Sequence, residues 1–188
     1  MELSTEYLPP PCKEMAAQEL KKLLFDTPLL KFNYLSIGLQ HLPTQQSTSI
    51  MSCLEWQKTF ISEEYARYDP IRLSMMNANR TDHFVYSETP ASISRFGREI
   101  MQARHKMGIK DGIAFTFDIN ENIHAVMNLG TDSQSINLNT FIRKNRGYID
   151  RLFEKGMKIF LNYGDNAIIP LISDDTQLAL SSQLSHHR

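Results

Sequence analysis

Two hydrophobic periods, one typical of strands and one of helices, alternate along this chain. The clearest strand pattern lies between Gly112 and Gly130. Alternate positions of 112–119 are apolar, the same alternation returns over 123–130, and the Asn-Glu-Asn at 120–122 is a turn sequence. Period-two runs joined by a short polar turn predict a β-hairpin. Shorter strands are predicted at 32–41, 48–51 and 83–86, with a further candidate at 166–172.

Apolar residues at helical spacing predict amphipathic helices over residues 13–25, 90–107 and 137–161, and a short helix at 71–76. The second of these should have Thr89 as its N-cap, Pro90 as its first residue and Gly108 at its end. Five of its residues are expected to point inward: Ile93, Phe96, Ile100, Met101 and Met107.

The element order is therefore α, β, β, α, β, α, β, β, α, with a last strand as an option. Strands joined by short turns favour an antiparallel sheet, so the predicted class is α+β with helices packed on the faces of the sheet. Residues 1–11 are expected to form an irregular arm, 1–172 a single domain, and 173–188 a linker.

Composition and charge exclude several classes of protein. With 20 basic and 21 acidic side chains in 188 residues, nothing in the composition suggests nucleic-acid binding, which normally needs a clustered basic surface. Cys12 and Cys53 are too few for a disulfide framework. The polar, proline-containing start is not a signal peptide, and no membrane span is expected, so we predict a cytoplasmic protein.

The stretch from Ser52 to Pro70 carries the candidate chemistry. Trp56, Phe60 and Tyr65 are expected on one helix, with Asp69 at its end, because a residue before proline disfavours the helical conformation. One acid beside several aromatic rings describes a pocket for a mostly apolar ligand. The alternative is that the rings belong to the core and Asp69 is a turn residue. On composition alone that alternative is the simpler one.

Catalytic signatures are missing from the sequence. It contains no Gly-x-Ser-x-Gly turn, no phosphate-binding glycine loop and no His-Glu-x-x-His motif. The six histidines are scattered, apart from a terminal pair, so no metal or cofactor is predicted. An enzyme that uses Asp69 as a base is disfavoured, since a lone carboxylate has no nucleophile, metal set or second acid beside it. The chain is predicted not to be an enzyme.

The spacing Trp56-x3-Phe60-x4-Tyr65-x3-Asp69-Pro70 resembles the N-terminal autoinducer-binding domain of LuxR-type quorum-sensing transcriptional regulators. That family carries Trp-x3-Tyr-x4-Tyr-x3-Asp-Pro. The segment 108–113 is similar to its Gly-x-x-x-Gly-Ile stretch, and with the long helix the resemblance covers 13–172. The resemblance implies an α-β-α sandwich with a roughly five-stranded antiparallel sheet that encloses an N-acyl homoserine lactone.

Site residues follow from the resemblance position by position. Asp69 would accept the amide N–H of the ligand, Trp56 would donate to the lactone carbonyl, and Asn128 would lie near the acyl carbonyl. The remaining predicted ligand-binding residues are Phe60, Tyr65, Ser52, Tyr86 and Phe84. Ser52 stands where the family has a tyrosine, and Phe60 lacks the hydroxyl of the family tyrosine. An unusual acyl chain, a signal that is not a lactone, and no ligand at all are therefore open alternatives.

Partners are also implied by the resemblance. The family acts through a C-terminal helix-turn-helix that contacts DNA, and this chain ends at Arg188. We therefore expect the sensor part of a longer regulator, a homodimer or a heterodimer with a related regulator, and DNA contact only through such an additional domain. The alternative is a short protein that heterodimerises with a full-length regulator and inhibits it.

Overall fold

A computed structural model describes residues 10–25, 31–44, 46–77, 83–89, 94–134 and 136–163. The helices it shows are α1 (Pro10–Phe25), α2 (Leu54–Ser62), α3 (Pro70–Asn77), α4 (Arg95–Lys106) and α5 (Leu138–Tyr163). The strands are β1 (Tyr34–His41), β2 (Gln46–Met51), β3 (His83–Val85), β4 (Asp111–Asn120) and β5 (Ile123–Thr131). Two 3-10 turns lie at Tyr65–Arg67 and Tyr86–Glu88.

The five strands form one antiparallel sheet in the order β2-β1-β5-β4-β3. The α+β class and the five-stranded antiparallel sheet are therefore confirmed. The predicted hairpin corresponds to β4 and β5. β5 is the central strand of the sheet and pairs with β1 on its other side. β1 and the first half of β4 are buried in continuous runs, because successive side chains point to opposite faces of the sheet and both faces are covered.

Each face of the sheet has its own hydrophobic core. The first core lies under α1 and α5 and includes Leu35, Ile37 and Leu39 of β1. The second core contains residues of α2, α3 and α4 together with Tyr34 of β1. Residues of β1 thus divide between the two cores with period two, as a strand covered on both faces must. The arrangement is an α-β-α sandwich.

The first helix begins earlier than predicted. Pro10 and Pro11 were expected in an irregular arm, yet α1 starts at Pro10. Proline lacks an N–H, and the first N–H groups of a helix have no partner within it, so proline fits there. Residues 1–9, the rest of the predicted arm, lie outside the described residues.

The helix with the aromatic motif is shorter than predicted. α2 ends at Ser62, Glu64 takes a left-handed conformation with φ 51°, and Tyr65 lies on a separate 3-10 turn. Asp69 does not follow the end of α2 directly. It precedes the first residue of α3, and its Oδ1 accepts the backbone N–H of Ile71 at 3.2 Å. Asp-Pro therefore begins a helix here, with Asp69 in the N-cap position.

The start of α4 was also predicted wrongly. The N-cap is Ser94, whose Oγ accepts the Gly97 N–H at 3.0 Å, whereas the Thr89 hydroxyl donates to the Tyr86 carbonyl at 2.6 Å. Phe96, which was expected to point inward, is 46% exposed, and Ile100 is fully buried as predicted. Ile93 lies outside the described residues.

The long helix α5 closes the first core and carries a kink at Asn145, where φ is −125°. The amide nitrogen of its side chain donates to the Phe141 carbonyl at 2.8 Å. The candidate strand at 166–172 and the predicted linker at 173–188 lie outside the described residues. None of the helices within the described ranges is long and apolar enough to cross a membrane.

Candidate ligand-binding site

The floor of the candidate site is a row of residues that crosses all five strands. The pairing places Met51, Ser36, Asn128, Ala114 and Phe84 next to one another, one from each strand. Directly opposed residues in an antiparallel sheet point to the same face. Met51 and Ala114 are buried in the second core and Phe84 packs against it. The predicted residues Asn128 and Phe84 therefore share this face.

Three aromatic rings form a wall above this floor. The Trp56 ring centroid lies 5.6 Å from that of Phe60 and 5.9 Å from that of Tyr65, and Phe60 and Tyr65 are 6.3 Å apart. Two of the contacts are edge-to-face, an arrangement that aromatic quadrupoles favour. Trp56 is 1% exposed. The motif spacing thus brings its three rings together although Tyr65 is not on α2.

Asp69 is buried beside this wall, with 5% of its surface exposed. Both of its carboxylate oxygens accept hydrogen bonds. Oδ1 accepts from the Ile71 N–H, and Oδ2 accepts from Nη2 of Arg104 at 3.0 Å. A buried carboxylate needs a counter-charge and hydrogen-bond donors to offset its desolvation, and Arg104 supplies both.

The guanidinium of Arg104 lies between two aromatic residues. Its central carbon is 5.3 Å from the Trp56 ring centroid and 5.2 Å from that of Tyr86, and Nη1 lies 3.2 Å from the sulfur of Met101. A desolvated guanidinium over an aromatic ring gains about 2 kcal/mol from the cation–π interaction. Arg104 therefore occupies the centre of the site between predicted ligand-binding residues.

The backbone at the end of α4 holds Arg104 in this position. The Ile109 N–H bonds to the Arg104 carbonyl at 3.2 Å, and the Gly108 N–H bonds to the His105 carbonyl at 3.0 Å. These two bonds are the Schellman helix ending, which needs a left-handed residue, and Gly108 has φ 79°. The first glycine of the Gly-x-x-x-Gly stretch thus serves to end α4.

The second glycine of that stretch makes room for Tyr86. A Cβ on Gly112 would lie 2.7 Å from the Tyr86 ring and 2.5 Å from the Leu129 carbonyl oxygen. Tyr86 can therefore pack directly on the sheet. Both glycines have a role that places a site residue, one for Arg104 and the other for Tyr86.

A chain of polar side chains runs beside the ion pair. The Tyr86 hydroxyl donates to Oδ1 of Asn128 at 3.1 Å, and Nδ2 of Asn128 donates to Oγ of Ser36 at 3.0 Å. Burial raises the pKa of Tyr34 to about 12, and a hydrogen bond with Ser36 acts in the opposite direction. Burial also raises the pKa of Tyr86. Both phenols are therefore neutral donors at physiological pH.

The same environment keeps Arg104 protonated. Burial lowers its pKa, but the attraction and hydrogen bond of Asp69, with the neighbouring tyrosines, raise it by more, so the pKa of Arg104 is above its ordinary value. The pair is consequently a charged guanidinium on a carboxylate.

Ser52 is placed differently from the other predicted residues. Its buried Oγ accepts the Leu35 N–H at 2.9 Å, and its own N–H bonds to the Leu35 carbonyl at 2.8 Å. The side chain therefore extends the pairing of β1 and β2. A serine hydroxyl can donate as well as accept.

Arg104 was not predicted as a site residue. It lies in an Arg-His-Lys run near the end of a helix, a pattern typical of a solvated last turn. The available signal was its spacing, because Arg104 follows Ile100 by four residues and Met101 by three. Positions three and four apart share a helix face, so Arg104 had to lie on the inward face.

The described residues contain no group of three or more histidine, cysteine, aspartate or glutamate side chains that could hold a metal ion. The site is made of one ion pair, neutral hydroxyl and amide groups, aromatic rings and methionines. Such a composition suits an organic ligand that combines an apolar part with a few polar atoms.

Comparison with known proteins identifies the family. The fold is an α-β-α sandwich with a five-stranded antiparallel sheet. The model of the autoinducer binding domain family matches residues 17–150, which is more than half of the chain. The chain belongs to this family, and its resemblance to the sensor domain of LuxR-type regulators is confirmed. No curated protein sequence matches the chain.

Several solved structures have a similar fold. Escherichia coli SdiA superposes with a TM-score of 0.58 at 12% identity, over 81% of this chain and 63% of that one. CepR2 of Burkholderia cenocepacia, an N-acylhomoserine lactone dependent LuxR family factor, gives 0.53 at 15% identity, over 87% and 99%. The VqsR ligand-binding domain of Pseudomonas aeruginosa gives 0.52 at 12%, over 79% and 92%. The chain thus spans less than two thirds of the SdiA chain.

Proposed function

We propose that this chain is the sensor domain of a LuxR-type transcriptional regulator and binds an N-acyl homoserine lactone or a similar acyl signal in the second core. The observation that carries the proposal is the buried Asp69, which lies with Arg104 among Trp56, Tyr86 and the other motif rings. A buried charged pair is often no more stabilising than apolar residues of the same volume. Stability alone therefore does not explain why this core contains one.

The surroundings of the ion pair suit an acyl chain. Three methionines, Met75, Met101 and Met107, pack at the edge of the second core and are only partly buried. Methionine is unbranched and polarisable and adapts to irregular partners. We infer that these side chains repack around the ligand tail, while Trp56 and Asn128 contact its polar part. Phe60, Tyr65, Phe84 and Tyr86 would line the space between, and Ser52 would contribute its hydroxyl proton.

Related proteins support a ligand of this class. One SdiA structure is a complex with octanoyl-rac-glycerol, and its similarity to this chain has a TM-score of 0.58 at 12% identity. An acyl chain with a small polar head is therefore a reasonable first probe. Binding would stabilise α2, α3 and α4 on the sheet and so couple the signal to folding and dimerisation. The proposed setting is a cytoplasmic regulator that contacts DNA through an additional domain.

A thermal-shift experiment tests this function. The purified chain is screened with acyl homoserine lactones of four to twelve carbons and with octanoyl glycerol. A ligand that binds only the folded state adds about 2.7 kcal/mol at a hundred times its dissociation constant. For a chain of this size that raises the melting midpoint by roughly 5–10 °C.

Two variants make the screen specific. Asn128→Ala should reduce the ligand-induced shift, whereas Arg95→Met, on the exposed side of α4, should leave it unchanged. If no compound moves the midpoint of the parent chain, the ligand-sensing function is wrong for this protein. A role in heterodimerisation with a full-length regulator would then be the function to test.

A further inference from the structure

We propose that Arg104 is the specificity-determining residue of this site, and that the ligand is a neutral molecule whose acyl carbonyl oxygen accepts a hydrogen bond from Nε of Arg104. The ligand class is an acyl ester, ketone or other alkyl carbonyl compound, for which an amide N–H is not required. The inference rests on the proposed function and narrows its ligand.

The first argument is that Asp69 already has its donors. One oxygen accepts from the backbone of α3 and the other from the Arg104 guanidinium, which is itself buried and charged. An incoming neutral N–H could use only the remaining lone pairs of a carboxylate that already holds a charge-assisted hydrogen bond, about twice as strong as a neutral one. The carboxylate is therefore a support for Arg104, and Arg104 faces the ligand.

The second argument is an unpartnered donor. Arg104 is only 4% exposed, and its Nε is fully buried. This nitrogen has no hydrogen-bond partner among the residues that the structure describes. A buried donor without an acceptor is costly, and the guanidinium has no acceptor atoms of its own. A ligand oxygen at this nitrogen would complete the hydrogen bonding of the side chain.

The third argument concerns charge. The charges of Asp69 and Arg104 cancel within their ion pair, and the neighbouring tyrosines are neutral. Arg72, a second cation that interacts with Asp69, donates to the Ala66 carbonyl at 2.7 Å. A carboxylate ligand would bring a further negative charge next to Asp69 in a buried site, which is unfavourable. The geometry therefore favours a carbonyl acceptor over the carboxylate of a free fatty acid.

The test uses three lactones that differ in one linkage: N-octanoyl homoserine lactone, the ester α-octanoyloxy-γ-butyrolactone, and the ether α-octyloxy-γ-butyrolactone. The amide-to-ester change removes the N–H, and the ester-to-ether change removes the acyl carbonyl, while the carbonyl of the lactone ring is kept in all three. Binding to the full chain is followed by fluorescence of Trp56, the single tryptophan, whose ring lies against Arg104. Octanoic acid is the fourth probe.

We expect the ester to bind within about threefold of the amide and the ether to bind about tenfold or more weakly, the loss expected for a charged hydrogen bond. Octanoic acid should bind more weakly than the ester. Arg104→Lys keeps the positive charge but lacks the donor nitrogen Nε. In this variant the ester and the ether should bind equally. Arg95→Met, an exposed arginine on the same helix, should retain the discrimination of the parent.

Three results would overturn the inference while the proposed function stands. The first is an ester about tenfold weaker than the amide, because the N–H would then be recognised. The second is octanoic acid that binds as tightly as the ester. The third is a folded Arg104→Lys that still separates ester from ether. The comparison of amide, ester and ether in the parent chain decides the question even where this variant does not fold. If none of the probes binds the parent, the proposed function fails and this inference fails with it.

Discussion

Replacing Arg104 with methionine removes one charge of a buried pair and leaves the other without compensation. The side chains of Arg104 and Asp69 are 5% and 8% exposed, and their charged atoms are 3.0 Å apart. At an effective dielectric constant of about 20, two unit charges at this separation attract each other by roughly 5 kcal/mol. Removal of one partner of a buried pair costs about 3–5 kcal/mol, and we expect Arg104→Met to lose that amount of unfolding free energy.

The double variant Asp69→Asn/Arg104→Met separates the ion pair from packing. It carries no buried charge, and the asparagine oxygen can still cap α3 by accepting the Ile71 N–H. We expect it to recover at least half of the loss, because neutral replacements of buried pairs are often tolerated. The matched control is Arg95→Met, which breaks an exposed pair with Glu99 and should cost no more than about 0.5 kcal/mol.

Urea denaturation followed by far-ultraviolet circular dichroism measures these changes, since Trp56 fluorescence would itself respond to a change at Arg104. The reasoning is refuted if Arg104→Met loses no more stability than Arg95→Met. It is refuted equally if the double variant is less stable than the single one.

Four further variants test other parts of the structure. Burial raises the pKa of Tyr34 to about 12. The neutral hydroxyl therefore contributes stability that is fully present below about pH 10, the pKa in the unfolded chain, and is lost as the pH rises towards 12. The loss is at most about 1.4 kcal/mol per pH unit. Urea midpoints between pH 9 and 11.5 should therefore fall less steeply in Tyr34→Phe than in the parent. Gly156→Ala would place a Cβ 2.8 Å from Ile37 and should cost about 1–3 kcal/mol of stability. Gly147→Ala, on the same helix, would place a Cβ near only one distant side-chain atom and should stabilise the protein by up to about 1 kcal/mol. Equal effects of the two variants on the melting midpoint would contradict the packing of α5 on β1. Ser94→Ala removes the N-cap of α4 and should cost about 1 kcal/mol, and an unchanged midpoint would show that the cap does not matter.

The sheet was predictable because its signal is local. The alternation of 112–119 and 123–130 gave the β4–β5 hairpin, and a one-residue shift would have moved every apolar side chain to the wrong face. The start of α4 was not predictable in the same way. Thr89-Pro90 is a good helix start by local rules, but Ser94 is an equally good cap, and tertiary packing decides between two such signals.

The grouping of the aromatic rings with Asp69 was predictable from the sequence, and the arginine beside them was not. The spacing of Trp56, Phe60 and Asp69 brought the motif together in the sequence. The partner of Asp69 is 35 residues away, and a long-range ion pair leaves no periodic pattern. Hydrophobicity alone would place Phe96 inside the protein and Arg104 on its surface. In the structure Arg104 is buried and Phe96 is exposed. Burial of Arg104 depends on Asp69, and therefore on the three-dimensional fold.

The division of the sheet into two cores has a consequence for hydrogen exchange. Among the residues that the structure describes, the first core holds 23 buried hydrophobic residues and the second holds 8, with a charged pair among them. Layers with fewer buried apolar contacts open at lower free energy than the whole molecule unfolds. Amide protons of α5, β4 and β5 should therefore exchange only through global unfolding, and those of α2, α3 and α4 through smaller, local openings. The sheet would separate a slowly exchanging layer from one whose exchange rate reports on occupancy of the site.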